Sequence, residues 1–139
     1  MREPIKIFKN AKQLQECKDW WVEKLQLKDW VIVVGIGECK DEANHGENEI
    51  EWVGRSALIT IERRKDMDDF ICKQYEEIVL VHELLHCKIM MYEKDVMNIS
   101  EFHFMVNQHQ LVEQMAKALI MTKYNLTFDW FKNANGSKD

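Results

Sequence analysis

The stretch that most constrains this chain is His82-Glu83-Leu84-Leu85-His86, set in an apolar helical run that includes Ile78, Val79, Leu80, Val81, Ile89 and Met90. Residues four apart on a helix stand one above the other, so His82 and His86 project from one face and can close on a single metal ion. Glu83 is turned about 100° from His82, which suits it to act as general base rather than as a ligand. The competing reading is two histidines that are simply packed or exposed. The apolar surroundings argue against it: burying an unpaired polar group costs roughly 1–3 kcal/mol, and a metal removes that cost.

A catalytic zinc site takes three protein ligands and leaves a fourth position open. The third ligand is expected from the next helix, which opens at Asn98-Ile99-Ser100-Glu101, a capping-box pattern, and runs to about Thr122. Its apolar stripe of Phe102, Met105, Val106, Val112, Ala116, Leu119 and Ile120 also contains His109 and Glu113. Glu113 is the leading candidate, because a carboxylate on an apolar stripe carries a desolvation cost of several kcal/mol that a cation offsets. His109 is the alternative third ligand, or a group that orients the site, and His103 stands behind both. If the motif helix spans Ile71 to Tyr92, His86 lies about 10 Å from its end while Glu113 lies roughly 20 Å into the next, so a strict antiparallel hairpin aligns His109 better.

At 139 residues the chain reads as one domain, long enough to bury a core without disulfides. Cys17, Cys39, Cys72 and Cys87 form no C-x-x-C pair and read as reduced thiols, with Cys87 a small buried hydrophobe on the wrong side of the helix for the metal. The net charge of −5 argues against nucleic acid or an anionic membrane as partner. Arg63-Arg64-Lys65, cancelled by Asp66, Asp68 and Asp69, reads as a solvated turn. Neither a signal core nor a membrane-length apolar run is visible, so the expected location is cytoplasmic.

In chain order, Asn10 to about Lys28 is an amphipathic helix on Leu14, Cys17, Trp21 and Leu25. Trp30 to Ile36 is a β-branched run that reads as a buried strand. Cys39 to Asn48 reads as a loop, with His45 a solvated histidine, and Glu49 to Ile61 as a strand bent or bulged at Gly54. The two strands form a hairpin or a small mixed sheet. In the tail, Leu126, Phe128 and Trp130 alternate with Thr127 and Asp129 as a half-buried strand would, and residues from Asn135 on fray.

With its motif and the later segment Glu113-Gln114-Met115-Ala116-Lys117-Ala118-Leu119-Ile120-Met121, the chain resembles small gluzincin metallopeptidases: the minigluzincins and the ImmA/IrrE-type peptidases of phages and mobile elements. The resemblance covers about residues 10 to 122. It implies an α+β, zincin-like fold: a small mixed sheet packed on the HExxH helix and a following glutamate helix. It further implies zinc held by His82, His86 and Glu113, with Glu83 as general base and a peptide or protein as substrate. Ala57 to Ile61 would be the edge strand along the cleft, and the tail 123–139 would cover that cleft or pack behind the sheet. The chain departs from the repressor-cleaving peptidases, since no Gly stands just before His86 and no Leu-Met-Pro follows the glutamate helix. Two other functions fit the motif. One is a catalytically silent, metal-stabilised binding or effector protein, whose site would be closed by four ligands. The other is a SprT-like DNA-associated protease with a histidine as third ligand, against which the acidic charge weighs.

Overall fold

In the computed structural model, residues 3–40, 46–63, 75–89 and 101–134 are described, the last range without the side chains of 101–107 and 132–134. His45, Cys72, the side chain of His103 and the capping sequence at 98–100 lie outside the described residues. The elements are α1 (Ala11–Lys24), β1 (Val31–Ile36), β2 (Gly46–Glu51), β3 (Ser56–Ile61), α2 (Glu76–His86), α3 (Glu101–Tyr124) and α4 (Phe128–Ala134). The chain is therefore a mixed α+β protein with one small sheet.

Helix α1 starts where the Asn10 side chain accepts the Gln13 N–H at 2.8 Å, with the Gln13 side chain returning to the Lys9 N–H at 2.7 Å. It buries Leu14, Cys17 and Trp21 at helical spacing. The helix stops four residues before the Lys28 that its periodicity suggests. Gln26 adopts a left-handed conformation (φ 58°), and the Leu27 N–H turns back to the Val22 carbonyl at 2.8 Å. That C-terminal closure ordinarily uses glycine, which is why the sequence hides it.

The sheet order is β1-β3-β2, with β1 parallel and β2 antiparallel to β3. Four sequence expectations change here. The strand 49–61 is a hairpin whose turn contains Gly54: the Gly54 N–H is taken by the Glu51 carboxylate, and Arg55 is left-handed at φ 55°. Within the described residues Ala57 to Ile61 belong to the central strand, paired on both sides, so they are no edge. Strand β2, which passes over α2 at Val79 and Glu83, begins at Gly46 inside the stretch expected as loop. The run read as a buried strand is buried on one face only, through Ile32 and Val34.

Those two residues join Ala57, Ile59 and Ile61 of β3 in a core with Ile78, Leu80, Val81, Leu84 and Leu85 of α2 and Val112, Ala116 and Ile120 of α3. The tail residues 128–134 form a helix, not the alternating strand expected from their pattern. Phe131 enters the core, and Trp130 packs on Tyr75 with ring centroids 5.3 Å apart, at the N-terminal end of α2.

That N-terminal end is held by an unusual set of partners. Tyr75 supplies no side-chain cap; instead the N–H groups of Glu76 and Glu77 reach the carbonyls of Lys6 and Ile5, each at 3.0 Å. The Glu77 carboxylate, fully buried, accepts from the Ile5 N–H at 2.9 Å, Trp21 Nε1 at 2.9 Å, Lys123 Nζ at 2.5 Å and the Tyr124 hydroxyl. Glu76 accepts from the Phe8 N–H at 2.7 Å and from Arg63 Nε at 2.7 Å. Arg63, expected in a solvated turn, is thus a tie between the N-terminal segment and α2. Among the described residues no helix is long and apolar enough to cross a membrane.

Candidate metal centre

Helix α2 ends at His86, so the motif histidines occupy its last turn rather than its middle. The register difficulty raised by a helix running to Tyr92 therefore disappears: His109, about 12 Å along α3 from Glu101, comes level with the end of α2. His82, His86 and His109 each offer a ring nitrogen, and these atoms lie within 4.8 Å of one another. His82 is half-buried, His86 buried and His109 exposed, which gives the group one side facing solvent. These three histidines could hold a metal ion.

The closest pair is His82 Nε2 and His86 Nε2, 3.3 Å apart. Two nitrogens at zinc-ligand distance on a tetrahedral centre stand roughly 3.4 Å from each other, so that spacing fits a shared ion. Glu113, the leading third-ligand candidate, lies on the other side of His82: its Oε1 is 2.7 Å from His82 Nδ1. A proton on Nδ1, donated to Glu113, leaves Nε2 with its lone pair facing the other imidazoles, the usual way a carboxylate orients a histidine ligand. The structure thus brings together His82, His86 and the alternative residue His109, with Glu113 bonded to the ring of His82. His109 and Glu113 are four apart on α3 and face two histidines four apart on α2.

Electrostatics separates the members of this group. Burial disfavours the charged form of His82, but the hydrogen bond to Glu113 and the charges of Glu83 and Glu113 outweigh it and raise its pKa. His86 is pushed down to about 4 by burial and by its histidine neighbours, and His109 is lowered by burial and His82. A neutral imidazole is the form that binds metal.

Glu83 is buried beside the cluster and its pKa is pushed up to about 7, chiefly by burial, with Glu47 and Glu113 adding to the effect and His82 opposing it. Strand β2 passes directly over it. A Cβ added at Gly46 would fall 3.1 Å from Glu83 Oε2 and 2.7 Å from Val79 Cγ1, so only glycine lets the strand approach this closely. Two residues along, Asn48 Nδ2 donates to the Glu83 carbonyl at 2.6 Å and lies 3.8 Å from the sulfur of buried Cys87. Gly46 and Asn48 were missed in the sequence, where both fall in a polar stretch read as loop; their signal is the period-two spacing Gly46, Asn48, Ile50.

Searches against protein-family models, curated proteins and solved structures found no match for this chain.

Proposed function

We propose that the protein is a zinc-dependent peptidase of zincin type, with His82, His86 and His109 as ligands and Glu83 as general base. The observation that carries the reading is the convergence of three imidazoles from two helices next to a buried carboxylate that none of them uses as its hydrogen-bond partner. Bound zinc supplies Lewis acidity toward a peptide carbonyl and lowers the pKa of a water. Glu83 takes the proton from the attacking water and passes it to the leaving amine. Glu113 holds His82 in one tautomer, and Gly46 and Asn48 hold the turn that carries Glu83.

A histidine as third ligand departs from the gluzincin set and agrees with the SprT-like alternative in its ligands. The net charge of −5 gives no support to DNA association. The silent, structurally closed site is less well supported, because Glu113 is engaged with His82 Nδ1 and His109 is exposed.

The test is metal content together with peptide hydrolysis. Wild type is expected to carry about one zinc per chain; His109→Ala loses it, whereas Glu113→Ala keeps a site weakened about 10- to 100-fold. Glu83→Gln retains the metal and loses turnover by about 10²- to 10⁴-fold. Full zinc in His109→Ala, or undiminished hydrolysis in Glu83→Gln, refutes the assignment.

A further inference from the structure

The sheet has two unlike faces. Ile32, Val34, Ala57, Ile59 and Ile61 are buried against the helices, whereas Val31, Val33 and Leu58 on the opposite face are 66%, 54% and 44% exposed. Register places Val33 beside Leu58, Leu58 beside Glu49, and Ser56 beside Glu51. The outer face therefore grades from apolar on β1 to acidic on β2. Lys40 meets Glu49 at 3.3 Å, but both side chains are largely exposed, so the pair leaves the acidic side accessible to other cations.

Parallel strand pairs ordinarily have both faces covered, and Val31-Ile32-Val33-Val34 has the unbroken apolar run of such a strand. Pairing of a further strand at the β1 edge is obstructed, because the Val34 carbonyl already accepts from Gln15 Nε2 at 3.1 Å. A cover for these residues has to lie on the face.

We propose that this face docks an amphipathic helix of another protein, its apolar stripe on Val31, Val33 and Leu58 and its Lys or Arg side chains toward Glu49 and Glu51. Charge selects this occupant. With a net charge of −5 and an acidic column on the same face, a second copy would bring like charges together. Of the chain's own segments outside the described residues, 1–2 and 135–139 are too short to lay a helix across the face, and the others lack the complementary excess. In 64–74, Arg64, Lys65 and Lys73 are balanced by Asp66, Asp68 and Asp69; in 90–100, Lys94 faces Glu93 and Asp95; 41–45 holds Asp41 and Glu42.

The probe is a synthetic Leu/Lys amphipathic helical peptide, with a Leu/Glu peptide of the same pattern as control, titrated into the full chain by fluorescence anisotropy and amide NMR. The Leu/Lys peptide is expected to bind, shifting amides of β1 and β3. The double variant Val33→Thr, Leu58→Thr weakens binding by about tenfold or more through lost apolar contact. Glu49→Gln, at an exposed position outside the turn, weakens it and flattens its salt dependence. Equal binding of the Leu/Glu peptide, shifts confined to other surfaces, or unchanged affinity in both the apolar double variant and Glu49→Gln overturns the proposal. So does a wild-type dimer in sedimentation that Val33→Thr, Leu58→Thr converts to monomer, since the occupant would then be a second copy.

Discussion

Helix α2 buries three carboxylates, and two of them, less than two turns apart, are treated in opposite ways. Glu77 is fully enclosed, yet its pKa is lowered: burial opposes ionisation, but Lys123, the Tyr124 hydroxyl and the Ile5 N–H more than compensate. Glu83 is almost as deeply buried with no lysine or arginine on its carboxylate among the described contacts, and burial raises it to about 7. One end of the helix uses a carboxylate as a knot joining the N-terminal segment, α1 and α3. The other end keeps a carboxylate close to its proton-exchange point beside three imidazoles. Burial alone does not decide what a buried acid does; the charge and donors placed around it do.

The largest effect expected from breaking this contrast is at Glu77. Glu77→Gln leaves half-buried Lys123 without its counter-charge and removes the charge at the centre of a fully buried set of donors, and should destabilise the fold by about 3 kcal/mol, read from urea denaturation. A loss below about 1 kcal/mol would mean that the knot is ornamental and that the two acids differ less than their surroundings suggest.

A pH series sharpens the same contrast, because the two carboxylates push stability in opposite directions. Glu77, lowered in the folded state, contributes stability that is present above the ordinary carboxylate pKa and lost as pH falls through its folded value. Glu83, raised to about 7, contributes most at acid pH and loses that contribution as pH rises from roughly 4 toward 7. In chelator-treated protein, Glu83→Gln should therefore gain stability over wild type between about pH 5 and pH 8, by up to about 3 kcal/mol. A difference that does not vary with pH would remove the contrast.

Gly46→Ala comes next in size. The new methyl meets Val79 and the Glu83 carboxylate, at a cost of about 1–3 kcal/mol in thermal stability, with turnover falling more than the zinc content. The smallest effect serves as a control away from both acids: Asn10→Ala removes the α1 cap, costs about 1 kcal/mol and leaves zinc binding unchanged.

Several parts of this molecule were legible from local pattern alone. Leu14, Cys17 and Trp21 marked α1, and the i, i+4 spacing marked the histidine pair. The strand pattern failed where alternation had two explanations. Leu126, Phe128 and Trp130 alternate, yet they lie in and before a short helix whose Phe131 is the residue anchored in the core. Gly54 looked like a bulge because turn and bulge share the same residue preference. Glu76 and Glu77 drew no role from the sequence, since nothing nearby in the chain announces that Arg63, Lys123 and Tyr124 will meet them.

By itself the sequence determined that two imidazoles and one carboxylate share one short stretch of helix, because helical geometry within five residues is set by local backbone bonds. Tertiary structure decided that His109 joins the two imidazoles, that Glu113 bonds His82, and that β2 passes over Glu83 at Gly46. Each of these depends on the relative register of elements far apart in the chain. Register is fixed by how whole apolar faces pack together, and no short stretch of residues encodes it.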